Sequence, residues 1–166
     1  MQNEGQRFGA ATAMRANLWA YIQIPRLPRA LPHAQHRDLM QAKPQVLVWI
    51  TCDGVHIDPS SGKHTILGVF SNIRARQFPV VHPFMVWFMT LSDVTQGEHR
   101  IKISLGLDPS NAAPIIDRKF ESQSPLQRIN LINEIRNLSF AAPGDYSLII
   151  EVDDEPLLAT NITVSN

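Results

Sequence analysis

From Gln45 onward, apolar and polar residues alternate along the chain with a period close to two. This period predicts β-strands, because successive side chains of a strand point to opposite faces. The first predicted strand, residues 45–52, is apolar on both faces and is therefore expected to be central in its sheet. The same alternation predicts strands near residues 65–71, 84–91, 100–105, 115–122, 126–135, 146–152 and 157–164.

The strand pattern predicts an all-β fold. In residues 100–105, Arg100, Lys102 and Ser104 alternate with apolar residues, which is typical of a sheet with one solvated face. Seven or eight short strands without a persuasive helix between them favour an antiparallel immunoglobulin-like β-sandwich. Only residues 126–140 also fit a helical period, so that a strand and a short helix both stay open there.

Two turns near the C-terminus belong to this fold. Pro143 and Gly144 form a tight turn before the strand that carries Tyr146. Immunoglobulin-like sandwiches often fix a corner with a tyrosine whose hydroxyl binds upstream backbone, and Tyr146 is the candidate for that role. The alternative is an ordinary tyrosine at the edge of the core. The acidic residues 153–155 lack the ligand spacing of a calcium loop, which favours a solvated hairpin turn.

The segment CDGVHIDPSSGKHTILGVF, residues 52–70, predicts a hairpin with its turn at residues 58–62. Its apolar phase slips by one residue between Cys52 and Val55. An extra residue at Asp53-Gly54 would restore the phase, and glycine is easily accommodated in such a position. We therefore expect a β-bulge at Asp53-Gly54.

The candidate metal ligands are His56, Asp58, His64 and His82. Two imidazoles and a carboxylate can hold a divalent ion, provided that His64 lies opposite His56 in the hairpin. If the pairing slips by one residue, His64 turns to the other face and the cluster is lost. Inert surface histidines are the favoured interpretation of the hairpin. His82 lies in the link FPVVHP, and the favoured interpretation there is an imidazole that forms a hydrogen bond with the backbone.

No catalytic residue, no cofactor-binding residue and no cofactor is predicted. Cys52 is the only cysteine, so that no internal disulfide can form. A nucleophilic thiol needs a nearby cation or helix N-terminus and a base, whereas the expected neighbours of Cys52 are Val48 and Ile50. A buried structural thiol is the favoured interpretation. The chain also lacks a phosphate-binding loop, a nucleophile elbow and zinc-binding motifs.

Charge and composition narrow the partner classes. Fifteen basic and fifteen acidic residues cancel, and without a basic stripe neither nucleic acid nor a membrane surface is an expected partner. No run of eighteen apolar residues exists to cross a membrane. The stretch before Pro25 is a poor signal peptide, which favours a cytoplasmic location.

Residues 1–44 differ from the rest of the chain. They contain no serine and carry six basic and two acidic residues, a charge of +4, whereas the remainder carries nine and thirteen, a charge of −4. We expect a largely unstructured or weakly helical extension, with a weak helix over residues 10–22, and a natural start at Met40. Residues 45–166 then form one sandwich domain.

Three segments, CDGVHIDPSSGKHTILGVFSNI, FPVVHP and PGDYSLIIEVDDEPLLATNITV, resemble a bacterial family of small β-sandwich domains of unknown function. The matching positions are Cys52, Asp53, Gly62, Lys63, Gly68, Phe70, Phe78, Pro79, His82, Pro83, Pro143, Gly144 and Tyr146. The resemblance spans about residues 45–164 and implies a fold but no reaction. In the last hairpin, Asp153-Asp154 stands where the family tends to have Asp-Gly.

The leading functional hypothesis is therefore a non-enzymatic β-sandwich that acts as a protein-interaction or assembly module, with a protein partner or by self-association. The alternative is a small-ligand-binding protein or a metal-dependent enzyme that uses His56, Asp58, His64 or His82.

Overall fold

The computed structural model describes residues 43–166, which form nine strands and one short 3-10 turn. The strands are β1 (Gln45–Ile57), β2 (His64–Val69), β3 (Asn72–Arg74), β4 (Val80–Ser92), β5 (Gly97–Gly106), β6 (Ala113–Ser122), β7 (Ile129–Phe140), β8 (Gly144–Val152) and β9 (Glu155–Ser165). The predicted extension, its weak helix over residues 10–22 and the start at Met40 lie outside the described residues. No helix among the described residues is long and apolar enough to cross a membrane.

The strands form two sheets, with the orders β2-β1-β4-β7 and β3-β9-β8-β5-β6. All neighbours are antiparallel except β3 and β9, which run parallel. The predicted antiparallel immunoglobulin-like β-sandwich is thereby confirmed. The open alternative at residues 126–140 is resolved in favour of a strand, β7, which pairs with β4 along its whole length.

The core lies between the two sheets. Large apolar side chains of β4, β5 and β8 are almost fully buried there: Met85, Trp87, Met89, Ile101, Ile103, Leu148 and Ile150. Trp49 of β1 packs against Trp87, with their ring centroids 5.8 Å apart. Each fully buried side chain of this size contributes about 2 kcal/mol to folding, so that this layer stabilises the sandwich substantially.

Tyr146 fixes a corner of the sandwich, as predicted. Its hydroxyl donates a hydrogen bond to the backbone oxygen of Ala142 at 2.8 Å and accepts one from the Ala142 N–H at 3.3 Å. Its ring meets Phe140 edge to face, with the centroids 4.9 Å apart. The side chain therefore ties the turn before β8 to the core.

The β-bulge predicted at Asp53-Gly54 is wrong. The β1–β2 pairing keeps one register from the Cys52 pair to the Ile57 pair, without an extra residue. The bulge of β1 lies instead at Leu47, where the register against β4 shifts between Val46 and Val48.

Gly68 of β2 is the residue that bends the hairpin. Its φ is +62°, in the left-handed region that strains other residues. A Cβ at this position would overlap the carboxylate of Asp53 on the neighbouring strand. The glycine therefore allows both the bend and the close approach of Asp53, and it does so without inserting a residue.

The bulge at Leu47 also corrects the expected orientation of β1. Val46 and Trp49 pack against the core, whereas Ile50 and Cys52 pair with residues of β4 that lie outside the core cluster. Val46, Val48, Ile50 and Cys52, which would share one face of a regular strand, therefore do not form a single inward set. A bulge reverses the phase of every later residue in the strand.

The far half of the β1–β2 hairpin folds back over the outer face of the four-stranded sheet. The imidazole of His64 lies 5.6 Å from the ring of Phe88. In the strand pairing, however, His64 is the partner of Ile57 and Phe88 is the partner of Ile50, which lies seven residues earlier in β1. Seven residues of straight strand span about 23 Å, so the hairpin must bend for the rings to meet. The folded hairpin explains why Phe88 is buried on that outer face.

Candidate functional site

The hairpin histidines do not come together as a metal cluster. His56 pairs with Thr65, and His64 pairs with Ile57, so that the two imidazoles lie on opposite faces. Of the two registers that the sequence left open, the structure has the one that turns His64 away from His56. Among residues 43–166, no group of three or more His, Cys, Asp or Glu side chains is placed to hold a metal ion.

Asp58 serves the hairpin turn. Its carboxylate accepts hydrogen bonds from the Ser60 hydroxyl at 2.7 Å, the Ser60 N–H at 2.8 Å and the Ser61 hydroxyl at 2.8 Å. These bonds, those of Ser60 first, lower the pKa of Asp58 to about 2. The carboxylate is therefore ionised at neutral pH and engaged in the turn.

Cys52 is fully buried beneath the folded hairpin. Its thiol lies 3.5 Å from the backbone oxygen of Gly54 and 3.7 Å from that of Val86, both as acceptors. Burial raises the pKa of the Cys52 thiol. A protonated thiol without access to solvent is a poor nucleophile, which agrees with the structural role expected from the sequence.

A recess of about 350 Å³ opens where β1 separates from β4. The β1–β4 pairing ends at Cys52 and Val86, while β4 continues to Val80 paired with β7 on its other side only. The recess lies in the resulting gap and is lined by Asp53, Gly68, Val69, Phe70, Asn72, Ile73, Arg74 and His82. Four of these, Asp53, Gly68, Phe70 and His82, are positions that carry the family resemblance.

His82 is the unusual side chain of the recess. Its Nε2 atom is buried and has no hydrogen-bond partner among residues 43–166. The backbone link predicted for this imidazole is therefore not made through Nε2. The ring packs against Phe70, with the centroids 5.7 Å apart. An unpaired buried polar atom costs about 1–3 kcal/mol, so that a ligand able to pair with Nε2 would recover that energy.

The short strand β3 supplies the remaining polar groups. Ile73 enters the core, and its neighbours Asn72 and Arg74 are exposed and line the recess. Two residues of opposite charge thus line one hollow, Asp53 on β1 and Arg74 on β3. A hollow of similar volume between β1 and β9 contains no ionisable side chain. No motif in the sequence marks Asn72 and Arg74 as site residues, although the alternation in SNIRAR places them on one face.

Three of the four sheet edges carry features that discourage pairing with another chain. β3 has only three residues. β6 carries Pro114 and the charged run of residues 117–119, and β7 carries Glu134 and Arg136, which pair with each other at 3.1 Å. Short strands, proline and charges all protect an exposed sheet edge.

The fourth edge, β2, lacks such protection. Its sequence, HTILGV, contains neither a fixed charge nor a proline. Leu67 and Val69 are 52% and 65% exposed, and Ile57 of the same hairpin is also exposed. Among the described residues, β2 is therefore the edge best suited to accept another strand.

The outer face of the five-stranded sheet is solvated, as the alternation in residues 100–105 predicted. Its charges are paired across strands, in the ion pairs Arg100–Asp117, Lys102–Glu151 and Lys119–Glu98. Since each cation in these pairs faces a carboxylate, this face offers no basic patch for phosphate groups.

Comparison with protein families gives one match. A profile described as a family of unknown function, DUF6941, matches residues 47–165, which confirms the predicted resemblance to a domain family of unknown function. Among curated proteins, no significant match is found.

Solved structures give distant likenesses, each covering 75% of this chain. A β-glucosidase from Listeria innocua in complex with isofagomine has 9% identity and a TM-score of 0.46, over 16% of its own chain. The alkylpurine DNA glycosylase AlkC from Pseudomonas fluorescens, bound to DNA with an abasic-site analogue, has 11% identity and a TM-score of 0.41, over 31% of its chain. An immunoglobulin-like protein from Pseudomonas aeruginosa has 14% identity and a TM-score of 0.36, over 98% of its chain. With TM-scores this low, none of them bears on function.

Proposed function

The chain belongs to DUF6941, a family of unknown function, and because the family supplies no activity, we propose from its own surface that it is a non-enzymatic assembly module. In this proposal two copies of the chain join through the β2 edges of their four-stranded sheets. The observation that carries the proposal is the uncharged, apolar and unprotected edge of β2.

Strand addition supplies the attraction. An edge strand presents a row of unpaired N–H and C=O groups, which the edge of a second strand can satisfy. Since β2 contains no fixed charge, an antiparallel pairing of β2 with its own copy opposes no like charges. The exposed side chain of Leu67 would be covered in such a pair.

The bend at Gly68 limits the strength of this contact. The regular part of the edge runs from His64 to Leu67, which allows only a short ladder of hydrogen bonds. Interfaces below about 1,200 Å² of total buried surface belong mostly to weak or transient complexes. We therefore expect self-association with a Kd in the micromolar range or weaker, of the order of 10⁻⁶ to 10⁻⁴ M.

Sedimentation velocity of the full chain across a wide concentration range tests the proposal. The wild-type protein should pass from monomer to dimer as the concentration rises, and Leu67→Lys should hold it as a monomer because it places two like charges in the interface. Leu126→Lys is the matched control, since Leu126 is 80% exposed and lies in the turn before β7. A monomer at every concentration, or equal effects of both lysine variants, would contradict the proposal.

The alternative functions have unequal support. A metal-dependent enzyme has no support within residues 43–166. His56 and His64 lie on opposite faces of the hairpin, and no group of three or more His, Cys, Asp or Glu side chains is placed to hold a metal ion there. Small-ligand binding has one observation in its favour, the unpartnered Nε2 atom of His82 in the recess.

A further inference from the structure

We propose that the recess between β1, β2, β3 and β4 binds a free α-amino acid with an apolar side chain, held as a zwitterion. Arg74, Asn72 and His82 bind its carboxylate, and Asp53 binds its ammonium group. Self-association through β2 is not required for this binding, because the polar groups of the recess all come from one chain.

The charges of the recess indicate a ligand that carries both signs. Asp53 and Arg74 line the same hollow, yet among the ion pairs of residues 43–166 none joins these two side chains. A ligand placed between them can pair with both charges. A purely anionic ligand would be repelled by Asp53, and a purely cationic one by Arg74, so that the zwitterion matches best.

The carboxylate end is assigned to the side of the recess that donates hydrogen bonds. A guanidinium group binds a carboxylate through two parallel N–H bonds, and the amide of Asn72 adds a further donor. The buried Nε2 of His82 has no other partner. In the tautomer that is protonated at Nε2, this atom donates a hydrogen bond to the ligand carboxylate. The bond removes the free-energy cost of burying Nε2 without a partner.

The apolar wall and the volume limit the size of the ligand. Val69, Phe70 and Ile73 line the remaining surface and are suited to an aliphatic side chain. A volume of about 350 Å³ is at the lower end for small-molecule sites. It accommodates a molecule of the size of leucine and excludes a dinucleotide or a folded peptide.

Titration of the full-length protein with three matched probes tests the ligand class. Leucine carries both charges, N-acetylleucine lacks the ammonium group and leucinamide lacks the carboxylate. Calorimetry or amide chemical-shift titration at pH 7 should give the tightest binding for leucine. Each missing charge should weaken binding about tenfold. No binding of leucine at millimolar concentration, or equal affinity for leucine and N-acetylleucine, would overturn the proposal.

Variants then locate the binding. Arg74→Gln should weaken leucine binding about tenfold but should not weaken the binding of leucinamide, whose positive charge Arg74 repels. Asp53→Asn should weaken leucine binding similarly but should not weaken the binding of N-acetylleucine, whose negative charge Asp53 repels. Arg136→Gln is the matched control, because Arg136 is an exposed arginine outside the recess. An equal loss of affinity for leucine in the Arg74 and Arg136 variants would show that binding depends on the overall charge of the protein, and this would refute the site.

Discussion

Replacing His99 by phenylalanine should destabilise the protein more at pH 5.5 than at pH 8.5, because His99 links three segments through two hydrogen bonds that only a protonated imidazole can donate together. Its Nδ1 lies 2.6 Å from Oδ2 of Asp153, and its Nε2 lies 2.8 Å from the backbone oxygen of Thr95. Both partners are acceptors, so that only the doubly protonated ring can donate to both. The other oxygen of Asp153 accepts from the N–H of Arg100, which joins the β8–β9 turn to β5.

The size of the effect follows from burial. The His99 side chain is only 9% exposed, but Asp153 is 50% exposed, which screens the ion pair and reduces it to about 1 kcal/mol. The bond to Thr95 contributes about 1 kcal/mol more. Phenylalanine retains the ring that packs on Phe120, at 5.6 Å between centroids in the native protein, so that mainly these two bonds are lost. We expect a loss of about 2 kcal/mol at pH 5.5.

The pH dependence has a definite sign. Burial lowers the pKa of His99, but the hydrogen bonds to Asp153 and Thr95 outweigh it, and the folded pKa lies above the ordinary value of 6.5. The stabilisation is therefore complete below pH 6.5 and is lost as the pH rises through the folded pKa. At pH 8.5 a neutral ring keeps one of the two bonds, and the difference between the proteins should fall to about 1 kcal/mol.

Urea unfolding of the wild-type and His99→Phe proteins at pH 5.5, 7.0 and 8.5, followed by tryptophan fluorescence, measures this difference in the free energy of unfolding. His56→Phe is the control, since His56 is an exposed histidine on the hairpin. The reasoning is refuted if the His99 variant loses equal stability at pH 5.5 and pH 8.5, or if the His56 variant shows the same dependence.

Two further substitutions test the corner and the bend. Tyr146→Phe removes both hydrogen bonds to Ala142 and should cost about 1–2 kcal/mol, so that an unchanged melting temperature would contradict the role of the hydroxyl. Gly68→Ala should cost at least about 2 kcal/mol, from the left-handed conformation and the overlap with Asp53. Gly62→Ala is its control, because Gly62 has a φ of +68° but open space around it. Equal losses in urea unfolding for the two alanine variants would refute the overlap.

The strands could be predicted because their evidence is local. Alternation in residues 100–105 reflects the two faces of β5, and the structure shows that charged face paired with its neighbours. Tyr146 lies only four residues from Ala142, the residue whose backbone its hydroxyl binds. In residues 126–140 the periodicity fits both a strand and a helix, and the structure has a strand there because residues 129–140 pair with β4.

The recess could not be predicted, because its residues come from four strands. Asp53, Asn72, Arg74 and His82 meet only because β1 separates from β4 after Cys52. The sequence of β1 suggested an extra residue at Asp53-Gly54, whereas the β1–β2 pairing keeps one register there and Gly68 of β2 has the left-handed φ. The register of the hairpin, which moved His64 away from His56, was likewise set between strands.

The amino-acid sequence by itself determined the all-β class, most of the strands and the corner at Tyr146, since each depends on residues close together in the chain. Only the tertiary structure decided which side chains share a recess, which sheet edge carries neither a fixed charge nor a proline, and which histidine is paired with a carboxylate. His99 and Asp153, for example, are 54 positions apart. Contacts over such distances depend on strand register and bending, and these are set by the packing of the whole sandwich.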